Sequence, residues 1–190
     1  MFKNLINKKI ILASKSSRRQ ELLKGLGLSF EIKTKEIDED FPNTIEACNV
    51  ATFLAKKKAK AFELSIDEIL ITSDTTVLLT DRILNKPKNS QEAIEMLQSL
   101  SGNTHEVCTG VCIKSANREV IFSDFTSVTF KPLSMNEIEY YIKHFQPFDK
   151  AGSYGIQEWI GFIGIEKIEG CYYNVMGLPL SKLYQELLDF

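Results

Sequence analysis

The segment Ser14-Lys15-Ser16-Ser17-Arg18-Arg19 places hydroxyls and guanidiniums together where an apolar run gives way to a helical pattern. A helix N-terminus offers free backbone N–H groups and a partial positive charge. Arginine adds a planar fork that grips a phosphate through two parallel hydrogen bonds. The combination suits a triphosphate cradle, although the glycines and the Gly-Lys-Ser/Thr ending of a Walker A loop are absent. A capped surface helix with solvated arginines fits the same residues, and spacing alone does not separate the two.

Asp74 follows the apolar run Ile69–Thr72 and is flanked by Ser73, Thr75 and Thr76. Carboxylates at strand ends line ligand crevices in α/β sheets. With Glu39, in the acidic loop Asp38-Glu39-Asp40, Asp74 supplies the oxygen donors that a magnesium-like cation prefers alongside water and phosphate. Either carboxylate also suits a general base toward a metal-bound water. The plain alternative for Asp74 is a turn aspartate bonded to its own backbone. Lys58, Lys86 and Lys150 would neutralise phosphate charge in a transition state, or stand as solvated surface lysines. Gln157 closes the run Ala151-Gly152-Ser153-Tyr154-Gly155-Ile156-Gln157, and its amide carries both donor and acceptor for a base edge; a flexible loop fits that run as well. Trp159 beside it could stack on a base or cover core, and core is the expectation.

These groups need elements to hold them. Ile10–Ala13 reads as a buried strand and 18–26 as a helix capped by Ser16 or Ser17, with Gly27 past its end. Phe30 and Ile32 mark a strand. A long helical pattern runs over 44–64, and Ile69–Thr72 and Val77–Leu79 read as strands on either side of the polar Asp74 segment. A helix starting at a Ser90 cap carries the stripe Ala93, Ile94, Leu97 and Leu100. Val107–Ile113 and Val120–Phe130 read as long antiparallel strands. Ser134 caps a further helix bearing Ile138, Tyr141, Ile142 and Phe145. Phe162–Ile168 and Tyr172–Val175 suggest a hairpin turning at Glu169-Gly170, and a closing helix covers 178–188. Strands and helices mix along the whole chain without a compositional break. The pattern predicts a mixed α/β fold as one domain over residues 1–190.

The composition narrows the function classes. The chain has 190 residues, 44% of them hydrophobic, and a net charge of −2, so no global basic field favours stable nucleic-acid binding. Four cysteines lack a Cys-x-x-Cys pair and the histidines number two, which disfavours zinc. Free thiols in a reducing compartment are expected, with Cys108 and Cys112 on one face of their strand. No apolar run reaches the roughly 20 residues of a membrane span, and the N-terminal lysines precede no signal-like apolar stretch. The cytoplasm is the expected location.

Taken together, several ordered segments resemble the Maf family of nucleotide pyrophosphatases. They are Leu12-Ala13-Ser14-x-Ser16-x-Arg18-Arg19-x-Glu21-Leu22-Leu23, Glu39, Leu54-Ala55-x-x-Lys58-Ala59, Ser73-Asp74-Thr75-x-Val77, Lys86-Pro87, Leu100-Ser101-Gly102-x-x-His105-x-Val107-x-Thr109, Asp149-Lys150-Ala151-Gly152-x-Tyr154-Gly155-Ile156-Gln157 and Gly177-Leu178-Pro179-Leu180. The resemblance implies two β-rich lobes flanked by helices around a deep central cleft, similar in outline to inosine triphosphate pyrophosphatases. It implies cleavage between the α- and β-phosphates of a nucleoside triphosphate, with Mg²⁺ or Mn²⁺. By position, the resemblance implies that Asp74 is the proton acceptor, that Ser14, Arg18, Arg19, Glu39, Lys58 and Lys86 form the polar cleft, and that Arg18, Thr75 and Gln157 sort substrates. Asp-Thr with Tyr-Gly-Ile-Gln resembles the branch acting on dTTP and UTP; the 7-methyl-GTP branch differs there. The resemblance also implies a homodimer, and an association with septum formation keeps a non-catalytic nucleotide-binding regulator of division as the competing class. Ser17 stands where the family usually has proline, which implies a looser loop. The residues before the first strand are expected to fray without a role in the site.

Overall fold

The computed structural model describes residues 2–190. Strand β1 (Lys9–Leu12) is apolar and buried from its second residue onward, the pattern of a parallel strand covered on both faces. It pairs in parallel with β2 (Phe30–Ile32) and with β3 (Glu68–Leu79), in the registers Ile10↔Phe30 and Ile10↔Ile69. Among the described residues the strands form a seven-stranded sheet in the order β2-β1-β3-β5-β6-β7, with β4 (Arg82–Leu84) pairing β3. Here β5 is Thr104–Lys114, β6 Glu119–Phe130 and β7 Ile165–Glu169. With its helices this is the mixed α/β class expected from the sequence.

The chain divides into two compact units, and β3, β5 and β6 contribute residues to both. The first comprises Met1–Asp74, Thr109–Asp124 and Gly177–Phe190. It holds the parallel strands, α1 (Ser17–Gly25), α2 (Val50–Lys60) and α7 (Leu180–Asp189). Ile11, Ala55, Ala59, Phe62, Leu70 and Cys112 form one of its core clusters. The helical pattern predicted over 44–64 is shorter in the structure. A 3₁₀ turn at Ala47–Asn49 leads into α2, which ends at Lys60. Cations cover carbonyls at its end and just past it: Lys114 donates to Ala59 (3.2 Å) and Phe62 (2.9 Å), and Lys35 to Ala61 (2.7 Å).

Residues 2–8, before β1, are not frayed; Met1 lies outside the described residues. Lys3–Leu5 form a 3₁₀ turn with Leu5 buried, Asn4 donates to the Leu187 carbonyl at 2.7 Å, and the Phe2 ring packs edge-on against Tyr184 at 5.4 Å. The segment is a strap on α7, made by contacts that a local reading of residues 1–8 does not contain.

The second unit comprises Thr75–Cys108 and Phe125–Met176. It contains α3 (Ser90–Leu100), α4 (Met135–Phe145), α5 (Trp159–Gly164) and the one-turn α6 (Tyr172–Val175). Its core includes Leu97, Leu100, Phe130, Ile138 and Tyr141. Asn89, not Ser90, caps α3 by accepting from the Glu92 amide. Ser134 and Glu137 form a reciprocal capping box at α4. The predicted hairpin at 162–175 is corrected: β7 pairs antiparallel with β6, and Tyr172–Val175 is helical. The buried Asn174 sets that turn by donating to the Val107 carbonyl (2.9 Å) and the Thr126 hydroxyl (3.0 Å).

In the first unit α2 lies so close to β5 that a Cβ on Gly110 would stand 2.4 Å from the backbone of Ala51 and Thr52. Gly110→Ala should therefore cost about 3 kcal/mol, near the upper end for overpacking, read as a lower urea midpoint at unchanged m-value.

Candidate active site

Ser14 is buried at the turn from β1 into α1, where its hydroxyl accepts from the Ser16 amide at 3.2 Å. Ser16 caps α1 by accepting from the Arg19 amide. Proline's absence at Ser17 does not prevent that cap from forming. Arg18 and Arg19 occupy the first turn, both half-buried. Arg19 donates from Nη1 to the Ser73 carbonyl (2.7 Å) and from Nε to the Gly177 carbonyl (2.9 Å). The Ser73 hydroxyl donates to the same Gly177 carbonyl at 2.9 Å. Arg19 thereby ties α1 to β3 next to Asp74. Desolvation pushes its guanidinium below the ordinary arginine value and Arg18 adds to this, while Asp74 and Glu39 oppose it.

Asp74 does not follow a strand end. It lies within the 12-residue β3, because Thr75 and Thr76 are β-branched and keep the polar stretch extended. The parallel pairing with β1 runs to Leu12↔Ile71, so Asp74 sits just beyond the C-terminal end of β1. Its side chain is buried, with 8% of the residue exposed. The Lys58 ammonium, on α2, donates to Asp74 Oδ1 and to Glu39 Oε1, the latter at 2.7 Å. Lys57 donates to the Asp40 carbonyl at 2.8 Å, so two successive lysines of α2 hold the acidic 38–40 loop. Glu39, Lys58 and Asp74 form one carboxylate–ammonium–carboxylate cluster in the first unit.

The remaining predicted residues fall in the second unit. Thr75 is half-buried on β3, and Lys86 is exposed before the buried Pro87. Lys150 is buried, and its ammonium lies 2.7 Å from Asp149 Oδ1 and 3.1 Å from Glu158 Oε1. Gln157 is half-buried; its Oε1 is enclosed and has no hydrogen-bond partner among the described residues.

The Maf-like protein family profile matches residues 9–190. The chain belongs to the Maf family. Proteins named dTTP/UTP pyrophosphatase run alongside this Maf chain over nearly its whole length. The one from Flavobacterium psychrophilum is 53% identical over 98% of this chain and 97% of its own. That from Bacteroides fragilis is 50% identical over 98% of each, and that from Parabacteroides distasonis 48% over the whole of both. Among solved structures, a nucleoside-triphosphatase / dITP/XTP pyrophosphatase from Mycobacterium abscessus shows a partial likeness: TM-score 0.40 and 14% identity, over 66% of this chain and 75% of its own. The strap at residues 2–8 precedes the matched Maf segment.

Among the described residues of this Maf chain, no group of three or more histidine, cysteine, aspartate or glutamate side chains gathers as metal ligands. Glu39 and Asp74 fit a divalent cation in a narrower sense. Their oxygens are hard anionic donors and already converge on one positive charge, that of Lys58. Among the described residues no helix is long and apolar enough to cross a membrane.

The sequence pattern did not single out three residues that the structure shows at work. Glu158 sits between Lys150 and Tyr141, and Tyr141 had read as one more residue of an apolar stripe. His105 is buried, its Nε2 lies 2.7 Å from the Tyr154 hydroxyl, and its ring stacks on Phe130 at 5.7 Å. Its position in the matched segment was the only local cue.

Burial pushes the His105 pKa from the ordinary 6.5 down to about 4. The native state therefore excludes a proton that the unfolded chain binds below pH 6.5. The stability this group contributes is present above that pH and is lost as pH falls toward 4, by up to about 3 kcal/mol. Urea midpoints measured from pH 7 to 4 should drop more steeply for the wild type than for His105→Gln.

Proposed function

We propose that this Maf chain hydrolyses dTTP and UTP to the nucleoside monophosphate and pyrophosphate. The observation that carries the chemistry is the buried Asp74 carboxylate, oriented by the Lys58 ammonium that also holds Glu39. The substrate class rests on the full-length relatives named dTTP/UTP pyrophosphatase. The family match over residues 9–190 supports treating the chain as one functional domain.

In the proposed reaction a water oxygen bonds to the α-phosphorus while the bond from that phosphorus to the α–β bridging oxygen breaks. Asp74 accepts the water's proton, and pyrophosphate leaves with the bonding pair. Lys58 keeps the Asp74 carboxylate in place and adds positive charge. Ser14 and Arg18 are assigned to the triphosphate. Arg19 supports the same region through β3, in addition to the phosphate role its type suggests. Lys86 and Lys150 are assigned further charge neutralisation, although Lys150 already faces two carboxylates. Glu39 and Asp74 are the residues that would hold Mg²⁺ or Mn²⁺, which when bound supplies neutralisation of the polyphosphate.

Arg18, Thr75 and Gln157 are assigned the choice of base. Gln157 is half-buried, and its amide carries both a donor and an acceptor for a base edge. Uracil and thymine carry an imide N–H, whereas cytosine has an acceptor at that ring position. An amide oxygen turned toward that N–H would favour dTTP and UTP over CTP.

The test is pyrophosphate release from dTTP, UTP, CTP, GTP, ITP and 7-methyl-GTP with Mg²⁺ or Mn²⁺. Asp74→Asn should lower turnover of dTTP and UTP about a thousandfold with the fold intact, within the range for loss of a general base. Near-wild-type turnover in that variant contradicts the assignment. Binding without release from any nucleotide favours the regulator.

A further inference from the structure

Residues 149–158 carry both Lys150 and Gln157, and their backbone is far from relaxed. Gly152 and Ser153 follow one another in the left-handed region, at φ +67° and +63°. Serine seldom adopts that conformation. Ser153 is also fully buried, and its hydroxyl has no hydrogen-bond partner among the described residues. Something must hold this segment, and the second unit contains a suitable clasp.

The clasp is centred on Glu158. Its Oε1 lies 3.1 Å from the Lys150 ammonium, and its Oε2 accepts from the Tyr141 hydroxyl. Tyr141 is fully buried on α4, and its oxygen accepts in turn from the Gly155 amide at 3.0 Å. The Glu158 amide donates to the Gly155 carbonyl at 3.0 Å. A Cβ on Gly155 would stand 2.8 Å from the Glu158 carboxylate carbon, so glycine is what lets the carboxylate fold back over the turn. One carboxylate thus joins the start of the segment (Lys150), its middle (Gly155, through Tyr141) and the rigid α4. Gln157 lies between the two pinned points, Gly155 and Glu158.

We infer that Glu158 is a positioning residue: clasped by Lys150 and Tyr141, it holds residues 149–157 in the shape that presents the Gln157 amide to the substrate base. The inference rests on the proposed base-reading role of Gln157. It also redefines Lys150, whose ammonium acts here as the other half of the clasp. Glu158 itself touches neither substrate nor reacting atoms.

The test combines steady-state kinetics on UTP and CTP with amide hydrogen exchange over residues 149–157, in the wild type, Glu158→Ala, Glu158→Gln and Tyr141→Phe. Glu158→Ala should raise KM for UTP about tenfold, cut the UTP-over-CTP preference about tenfold and leave kcat within about threefold, the size usual for supporting-shell residues. Exchange in the segment should accelerate. Glu158→Gln still accepts from Tyr141 and should fall between Glu158→Ala and the wild type. Tyr141→Phe removes the acceptor of the Gly155 amide and should speed exchange there. If Glu158→Ala fails to fold, the two milder variants carry the same test.

Wild-type KM and preference in these variants would overturn the inference. So would a fall in kcat that tracks a lower melting temperature while the preference stays unchanged, which marks a merely structural role. A wild-type protein that releases no pyrophosphate removes the proposed function separately. In that case unchanged exchange in the variants still overturns the clasp.

Discussion

One ammonium group organises the first unit's polar site. Lys58 reaches from α2 to Asp74 on β3 and to Glu39 in the loop after β2. Burying a carboxylate such as Asp74 is costly unless a cation and further hydrogen bonds compensate it. Lys58 supplies the cation for both carboxylates, so its position fixes the relation of helix, strand and loop. Removing one partner of such a buried pair typically costs about 3–5 kcal/mol, because the other charge is left uncompensated. The half-exposed Glu39 carries much less of that cost than Asp74.

The surroundings of the cluster answer to the same constraint. Arg19 spends two donors on the Ser73 and Gly177 carbonyls, and the Ser73 hydroxyl adds a third bond at Gly177. These bonds lock the strand residue immediately before Asp74. Thr72, one step earlier, donates from its hydroxyl to the Ala55 carbonyl of α2 at 2.7 Å. The carboxylate that the proposed reaction uses as a base is therefore held by its own ion pair and by the backbone of the preceding residues. Such rigidity is what positioning a proton acceptor requires.

What the sequence revealed follows from how local each feature is. The serine cap expected at 16 or 17, the Ser134 cap and the apolar β1 depend on residues within a few positions of one another, and each is present, the first at Ser16. The helix at Tyr172–Val175 depends on Asn174 reaching Val107 and Thr126, 67 and 48 residues away, so strand propensity at the tyrosines and valine misled. The strap at residues 2–5 depends on the far C-terminus in the same way. In the site, Glu39, Lys58 and Asp74 were legible as residue types, and the family resemblance grouped them. That Lys58 lies between the two carboxylates was not legible, since it needs the path of α2 past β3. Glu158 escaped notice because its partner Tyr141 is 17 residues away on another helix.

The central claim is that Asp74 directs water to the α-phosphorus with pyrophosphate leaving. Hydrolysis of UTP in ¹⁸O-enriched water, with mass analysis of both products, tests it most directly. The account predicts one labelled oxygen in UMP and none in pyrophosphate. Label in the pyrophosphate would place the attack on the β-phosphorus, and release of orthophosphate would place the cleavage elsewhere in the chain; either result contradicts the account.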